Sequence, residues 1–151
     1  MLKKYSLYFK IANYLILLHG LGHYLGHLTT FVNYDQASPE LKSLFESMQG
    51  AQTGGGNGIW DLFLMFSMSY TIFQVMLSVL NLVLIYSDAI QLAIMKRIVF
   101  VNLLLWIFSF STFLLTSAIA ITLYSNAVFV LFYFFAYLLI SREGGGRKQH
   151  Q

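Results

Sequence analysis

The chain has 151 residues, of which 58% are apolar and only 10% are charged. Soluble domains are nearly half apolar and about a quarter charged, so this composition excludes an ordinary soluble domain and predicts a membrane protein. The net charge is +3, but the basic residues lie near the chain ends and at residues 96–97 instead of along one face, so we expect no nucleic-acid partner. The sequence lacks cysteine, which excludes disulfides, thiolate metal sites and c-type haem attachment.

Four apolar segments predict an all-α, polytopic membrane protein with a four-transmembrane-helix bundle in residues 1–141. A helix of about 20 residues crosses a hydrocarbon core of roughly 30 Å. The predicted spans are residues 8–32, 60–86, 96–123 and 126–141. The last two come from one apolar run that is too long for a single crossing. Polar residues favour a turn at Tyr124, Ser125 and Asn126, with Thr116 and Ser117 as the alternative position.

Residues 33–59 are expected to form an external or periplasmic loop. Ser38 and Pro39 are a helix-start signal, and apolar residues follow them at helical spacing, which predicts a short amphipathic helix on the membrane surface. The loop then becomes rich in glycine up to Gly58, which predicts a flexible connector to the second span. The apolar positions of the short helix are Leu41, Leu44, Phe45 and Met48.

Basic residues flank the predicted spans on one side of the membrane. Cytoplasmic flanks are enriched in Lys and Arg, so we expect a multi-pass protein of the inner (plasma) membrane with both termini in the cytoplasm. Residues 142–151 are expected to be a disordered cytoplasmic tail. The basic residues concerned are Lys3, Lys4, Lys10, Lys96, Arg97, Arg142, Arg147 and Lys148.

The first span contains the most unusual feature, which is the run HGLGHYLGH. His19, His23 and His27 are four residues apart and occupy an arc of about 80° on one helix face. Ionisable residues inside a membrane span are costly and indicate a functional site. Gly22 and Gly26 fall at the edge of this arc and predict close packing against a neighbouring helix.

The second span carries a polar stripe that can face the histidines. Because the first two spans are antiparallel, the external end of one lies level with the external start of the other. The pairs expected at equal depth are His27 with Asp61 and Ser67, His23 with Thr71, and His19 with Gln74. With Asn102 on the polar face of the third span, these residues form the candidate polar site.

An Asp beside a His orients the imidazole and raises its basicity, so His23, His27 and Asp61 are a candidate site open to the outside. A metal would take these three residues, because three histidines on successive helix turns span about 12 Å and cannot all reach one ion. No cofactor is required by the sequence, and a metal or a quinone are the options it leaves. The simpler interpretation is that the histidines only hydrogen-bond a neighbouring helix, at about 0.6 kcal/mol per contact.

The WDLF opening of the second span at Trp60–Phe63, the His- and Gly-rich first span, the extended external segment and the closely coupled last two spans form a recognisable pattern. This pattern resembles the DoxX-like group of small bacterial integral membrane proteins. The resemblance implies a four-helix membrane fold and an association with quinone-linked respiratory or sulfur oxidation.

Two functions follow as expectations. The first is an accessory subunit or scaffold of an inner-membrane complex, with a polar cavity lined by the histidines and with lipid, other membrane subunits or a second copy as partners. The alternative is a membrane enzyme or binding protein for a lipophilic small molecule, such as a quinone or isoprenoid, that uses His23 or His27 with Asp61. Whether the chain is an enzyme stays open. A proton channel is disfavoured, because the half of the bundle beyond His19 offers only amides and hydroxyls.

Overall fold

The computed structural model describes residues 4–32, 36, 38–51, 58–87, 90–115 and 120–146. These residues form five α-helices and no β-strand, which confirms the all-α class. The helices are α1 (Lys4–Val32), α2 (Pro39–Gly50), α3 (Ile59–Tyr86), α4 (Leu92–Leu115) and α5 (Ala120–Gly146).

Three segments are long and apolar enough to cross a membrane, and they are Ile59–Tyr86, Leu92–Leu115 and Thr122–Glu143. Between 22% and 28% of the most apolar part of each is buried inside the protein, so most of their apolar surface faces outward, as lipid-facing helices do. α1 has 29 residues but includes several polar side chains, and it is not among the three. Three helices therefore support the predicted membrane character, and the fourth span stays a prediction.

The start of α2 follows the predicted signal. Ser38 is the N-cap, its hydroxyl accepts a hydrogen bond from the Leu41 N–H at 3.3 Å, and Pro39 opens the first turn. A hydrogen bond from its own backbone N–H, and then one from the Ser38 hydroxyl, hold the pKa of the Glu40 carboxyl below its usual value. None of the residues of α2 is buried. The predicted short helix is thus confirmed, and its amphipathic placement on the external membrane surface stays a prediction.

The turn predicted at Tyr124, Ser125 and Asn126 is wrong, because all three residues lie inside α5. Asn126 is fully buried, its amide donates to the Thr122 carbonyl at 2.8 Å, and its Oδ1 accepts a 2.7 Å hydrogen bond from Ser109 on α4. An asparagine paired in this way is a helix-packing residue, although its polarity imitates a turn. The alternative turn at Thr116 and Ser117 lies outside the described residues.

The disorder predicted for residues 142–151 is also wrong for the first half of that segment. α5 continues to Gly146, and residues 147–151 lie outside the described residues. Arg142 and Glu143 are good helix formers, and the fully buried Ile140 holds the preceding turn in the core. These residues extend the helix past the end of the apolar run.

The chain divides into two compact units. Unit 1 comprises Met1–Leu17 and Leu77–Gln151, and unit 2 comprises Leu18–Met76. In the core of unit 1 the buried residues recur three and four positions apart along each helix, which is the spacing of left-handed helix packing. These stripes are Phe9, Asn13 and Ile16 on α1, Met95, Val99, Asn102 and Trp106 on α4, and Asn126, Phe129, Tyr133, Ala136 and Ile140 on α5.

Four buried polar side chains meet in the core of unit 1, and we call Asn13, Asn81, Asn102 and Tyr133 the amide–phenol node. The Asn81 amide donates to Asn13 Oδ1 at 2.9 Å and to Asn102 Oδ1 at 2.8 Å, and the Tyr133 hydroxyl donates to Asn13 Oδ1 at 2.8 Å. Asn13 and Asn102 also donate to the carbonyl one turn earlier in their own helices, at 2.7 and 2.9 Å. The node therefore joins α1, α3, α4 and α5. Asn102, predicted to belong with the histidines, has its hydrogen bonds here instead.

Candidate functional site

Three histidines of α1 each contact a polar side chain of α3 within unit 2, and we call these six residues the histidine ladder. As the residue number rises along α1 it falls along α3, so the two segments are antiparallel and successive helical turns meet. The pairing predicted from depth is confirmed for His19 with Gln74, His23 with Thr71 and His27 with Ser67, but not for His27 with Asp61. The rungs are His19 Nδ1 to Gln74 Oε1 at 3.2 Å, His23 Nδ1 to Thr71 Oγ1 at 2.8 Å, and His27 Nε2 to Ser67 Oγ at 2.6 Å.

The rungs formed by His23 and His27 are connected through Ser67. Its hydroxyl oxygen lies 2.6 Å from His27 Nε2 and 3.5 Å from His23 Nε2. The Thr71 hydroxyl donates to the Ser67 carbonyl at 3.1 Å. Imidazoles and hydroxyls thus form a continuous chain of polar contacts from His27 to Thr71.

The α3 side chains of the ladder become more buried from Ser67 towards Gln74. Gln74 is fully buried and Thr71 is 4% exposed, whereas His19, His23 and His27 are half-buried. The rings of His23 and His27 have centroids 4.7 Å apart and are nearly perpendicular, at 83°. This edge-to-face arrangement is a favourable geometry for aromatic rings, and it leaves part of each imidazole accessible.

One end of the Gln74 amide has no partner. Its oxygen faces His19, and its buried Nε2 has no hydrogen-bond partner among the described residues. Turning the amide over would place the nitrogen at His19 and leave the oxygen without a partner, so either orientation leaves one group unpaired. A buried unpaired amide group costs about 1–3 kcal/mol, which makes this rung the least satisfied of the three.

Asp61 does not join the histidines. Its carboxylate lies over the start of α3, so close to Gly58 that a Cβ built there would be 3.2 Å from Oδ2. An acid in the first turn suits the positive end of the helix dipole. Among the described residues no group of three His, Cys, Asp or Glu side chains is placed to hold a metal ion. The predicted site of His23, His27 and Asp61, with or without a metal, is therefore wrong, because Ser67 takes the place assigned to Asp61.

The helix-packing glycine is Gly20 and not Gly22 or Gly26, so that prediction is wrong too. A Cβ built on Gly20 would lie 3.1 Å from the Val75 side chain and 3.4 Å from Gln74, whereas one built on Gly22 or Gly26 meets nothing within 4 Å. Gly22 and Gly26 each precede a histidine by one residue, about 100° around the helix, which turns them away from α3.

Aromatic rings connect α2 to the outer rung of the ladder. Phe45 on α2 packs edge-to-face on Trp60, with centroids 4.5 Å apart, and Trp60 stacks on Phe63 at 5.5 Å. The ring of Phe63 lies 6.3 Å from that of His27. The first turn of α3 therefore places an aromatic surface beside the outermost histidine.

Two important residues, Asn13 and Gly20, were missed by the sequence analysis. The available signal was the spacing of three and four residues. Continued backward from His27 and His23, it passes through Gly20 and Ile16 to Asn13, and all three are buried. A fixed repeat along the helix finds them, while a search for unusual residue types stops at the histidines.

No family model, curated protein or solved structure matches this chain. The resemblance to the DoxX-like group stays a prediction.

Proposed function

We propose that the chain is a four-span integral membrane protein that acts as an accessory subunit or scaffold of an inner-membrane complex. The observation that carries this proposal is the division between its polar and apolar side chains. Within the node, and separately within the ladder, polar side chains of different helices form hydrogen bonds, and the outward faces of α3, α4 and α5 are apolar. Cross-helix hydrogen bonds and small residues at contacts are how membrane helices associate.

The buried Asn13 supports the assignment of α1 as the fourth span. Asn13 is fully buried and shares hydrogen bonds with Asn81 on α3 and Tyr133 on α5, and both of those helices are long and apolar enough to span. A helix whose polar group is paired with two spans lies beside them. With 29 residues, α1 is about 43 Å long at 1.5 Å per residue, which exceeds the roughly 30 Å of the hydrocarbon core.

The orientation follows from the basic flanks and has a direct test. Reporter domains fused after Ser87 and after Arg142 are expected to be cytoplasmic, and one fused after Gly55 is expected to be external, because Lys and Arg concentrate on the cytoplasmic side. Activity of a periplasmic and a cytoplasmic reporter at each position measures this. An external signal after Ser87 would remove α1 from the count of spans and contradict the four-span arrangement.

The scaffold role is tested by photo-crosslinking from an outward residue. Phe108 on α4 is 74% exposed, and Val99 on the same helix is fully buried. A photoreactive amino acid at Phe108 is expected to give adducts with another membrane protein or a second copy in intact membranes. The same amino acid at Val99 is the matched control and is expected to give internal adducts only. Lipid adducts alone from Phe108, and likewise from the outward Phe66, would contradict a scaffold.

A further inference from the structure

The protons of the histidine ladder can be assigned in order, starting at Thr71. Its hydroxyl donates its single proton to the Ser67 carbonyl at 3.1 Å. Thr71 Oγ1 therefore accepts the 2.8 Å hydrogen bond from His23 Nδ1, which places a proton on that nitrogen. The other nitrogen of a neutral imidazole is an acceptor, so His23 Nε2 presents a lone pair to Ser67 Oγ at 3.5 Å.

Ser67 has one proton and two imidazole neighbours. If His27 Nε2 carries a proton, it donates to Ser67, Ser67 donates to His23 Nε2, and both contacts are hydrogen bonds. If His27 Nε2 is unprotonated, both His27 Nε2 and His23 Nε2 are acceptors. Ser67 can then donate to only one of these two nitrogens, and the second nitrogen has no donor. Polar networks in protein interiors favour the arrangement with every group paired. The proton of His27 is therefore on Nε2.

His27 Nδ1 is then the unprotonated nitrogen of the ring and carries an accepting lone pair. It has no hydrogen-bond donor among the described residues, since the hydrogen bond of His27 uses Nε2. The side chain is half-buried, and Nδ1 is not among the buried polar atoms that lack a hydrogen-bond partner, so a molecule outside the protein can reach this nitrogen. The ladder thus ends at the His27–Ser67 rung, which we call the outer rung, where His27 Nδ1 is an accessible acceptor without a donor.

The surroundings of this acceptor favour a neutral, apolar ligand. Phe63 lies beside His27 and is 47% exposed, with Trp60 stacked behind it. The carboxylate of Asp61 lies over Gly58, and among the described residues no group of three His, Cys, Asp or Glu side chains is placed to hold a metal ion. A metal ion would therefore lack a ligand set, whereas a hydroxyl group donates a hydrogen bond without bringing a charge into a membrane span.

We propose that the outer rung of the ladder is a binding site for a lipophilic alcohol or phenol, whose hydroxyl donates to His27 Nδ1 while its apolar part lies against Phe63. The directed chain through Ser67 to His23 supports this bond, because a donor at Nδ1 strengthens the donation from Nε2 to Ser67. The site rests on α1 crossing the membrane, as in the proposed function, but it does not depend on a partner subunit.

Two probes that differ only in the donor test the site. 4-Nonylphenol carries a hydroxyl, and 4-nonylanisole replaces it with a methyl ether. In protein labelled with ¹⁵N at histidine and reconstituted in lipid nanodiscs, the His27 Nδ1 resonance is expected at the position of an unprotonated nitrogen. It is expected to shift saturably with the phenol and to stay unchanged with the ether.

Variants separate the acceptor from the rest of the ladder. His27→Phe keeps an aromatic ring but removes the acceptor, and is expected to weaken 4-nonylphenol binding by about tenfold, the effect of one hydrogen bond. His19→Phe removes another histidine and is expected to leave binding unchanged. Equal shifts with both probes, or a protonated Nδ1 without ligand, would overturn the site even if His27→Phe failed to fold. The topology reporters test the span itself, so the two failures are distinguishable.

Discussion

Replacing Asn81 with leucine is expected to lower the free energy of unfolding by about 2 kcal/mol. Asn81 is 2% exposed and makes three hydrogen bonds within the node: its two amide protons go to Asn13 and Asn102, and its Oδ1 accepts from the Asn102 amide. At about 0.6 kcal/mol for each hydrogen bond between membrane helices, their loss accounts for this value. Leucine branches at the same carbon and has the same number of side-chain heavy atoms, so the change removes the hydrogen bonds without leaving a large cavity.

Unfolding in mixed micelles of increasing denaturing detergent measures the change. Val83→Leu is the matched control, because Val83 lies two residues away on α3 and is 62% exposed. It is expected to change the free energy of unfolding by less than about 0.5 kcal/mol, as outward substitutions usually do. Equal stabilities of the Asn81→Leu variant and the wild type would show that the node does not hold these helices together.

The histidine ladder was predictable because its pairing depends on only two regularities. The spacing of four residues places His19, His23 and His27 on one face, and antiparallel spans bring matching depths together. The partners on α3 then follow from counting along the helix. The chemistry of the rungs was not predictable in the same way. The charge of Asp61 favours it over Ser67 as the partner of a histidine, whereas its position in the first turn of α3 directs its carboxylate to the helix start.

The other wrong predictions have one physical cause: the structural role of a polar or small residue depends on the groups that surround it. Asn126 resembles a turn residue by composition, but Ser109 and its own helix satisfy its amide. Gly22 and Gly26 resemble packing residues by type, but their helix angle turns them outward. Side-chain pairing and helix phase decide such cases. Both become visible only when the neighbouring helix is known.

The contact at Gly20 leads to the second large expected effect. Gly20→Leu is expected to destabilise the protein by about 2 kcal/mol, because extra side-chain atoms in a packed interface force neighbouring groups apart at a cost of about 1–3 kcal/mol. The new Cβ alone would lie 3.1 Å from Val75 and 3.4 Å from Gln74. The displacement reaches the His19–Gln74 rung directly, so we expect the ¹⁵N resonances of His19 to change as well.

Gly22→Leu is the matched control, because it makes the same substitution two residues further along α1, where a Cβ meets nothing within 4 Å. It is expected to be neutral or to stabilise the helix by up to about 1 kcal/mol, since glycine is a poor helix former. The same detergent titration compares the two variants. Adding Val75→Ala to Gly20→Leu is expected to recover part of the lost stability, because it removes the side-chain atom nearest to the new group. If Gly22→Leu proved the more damaging change, α1 would meet its neighbour through the face with Gly22 and Gly26, and the histidines would be turned away from Ser67, Thr71 and Gln74.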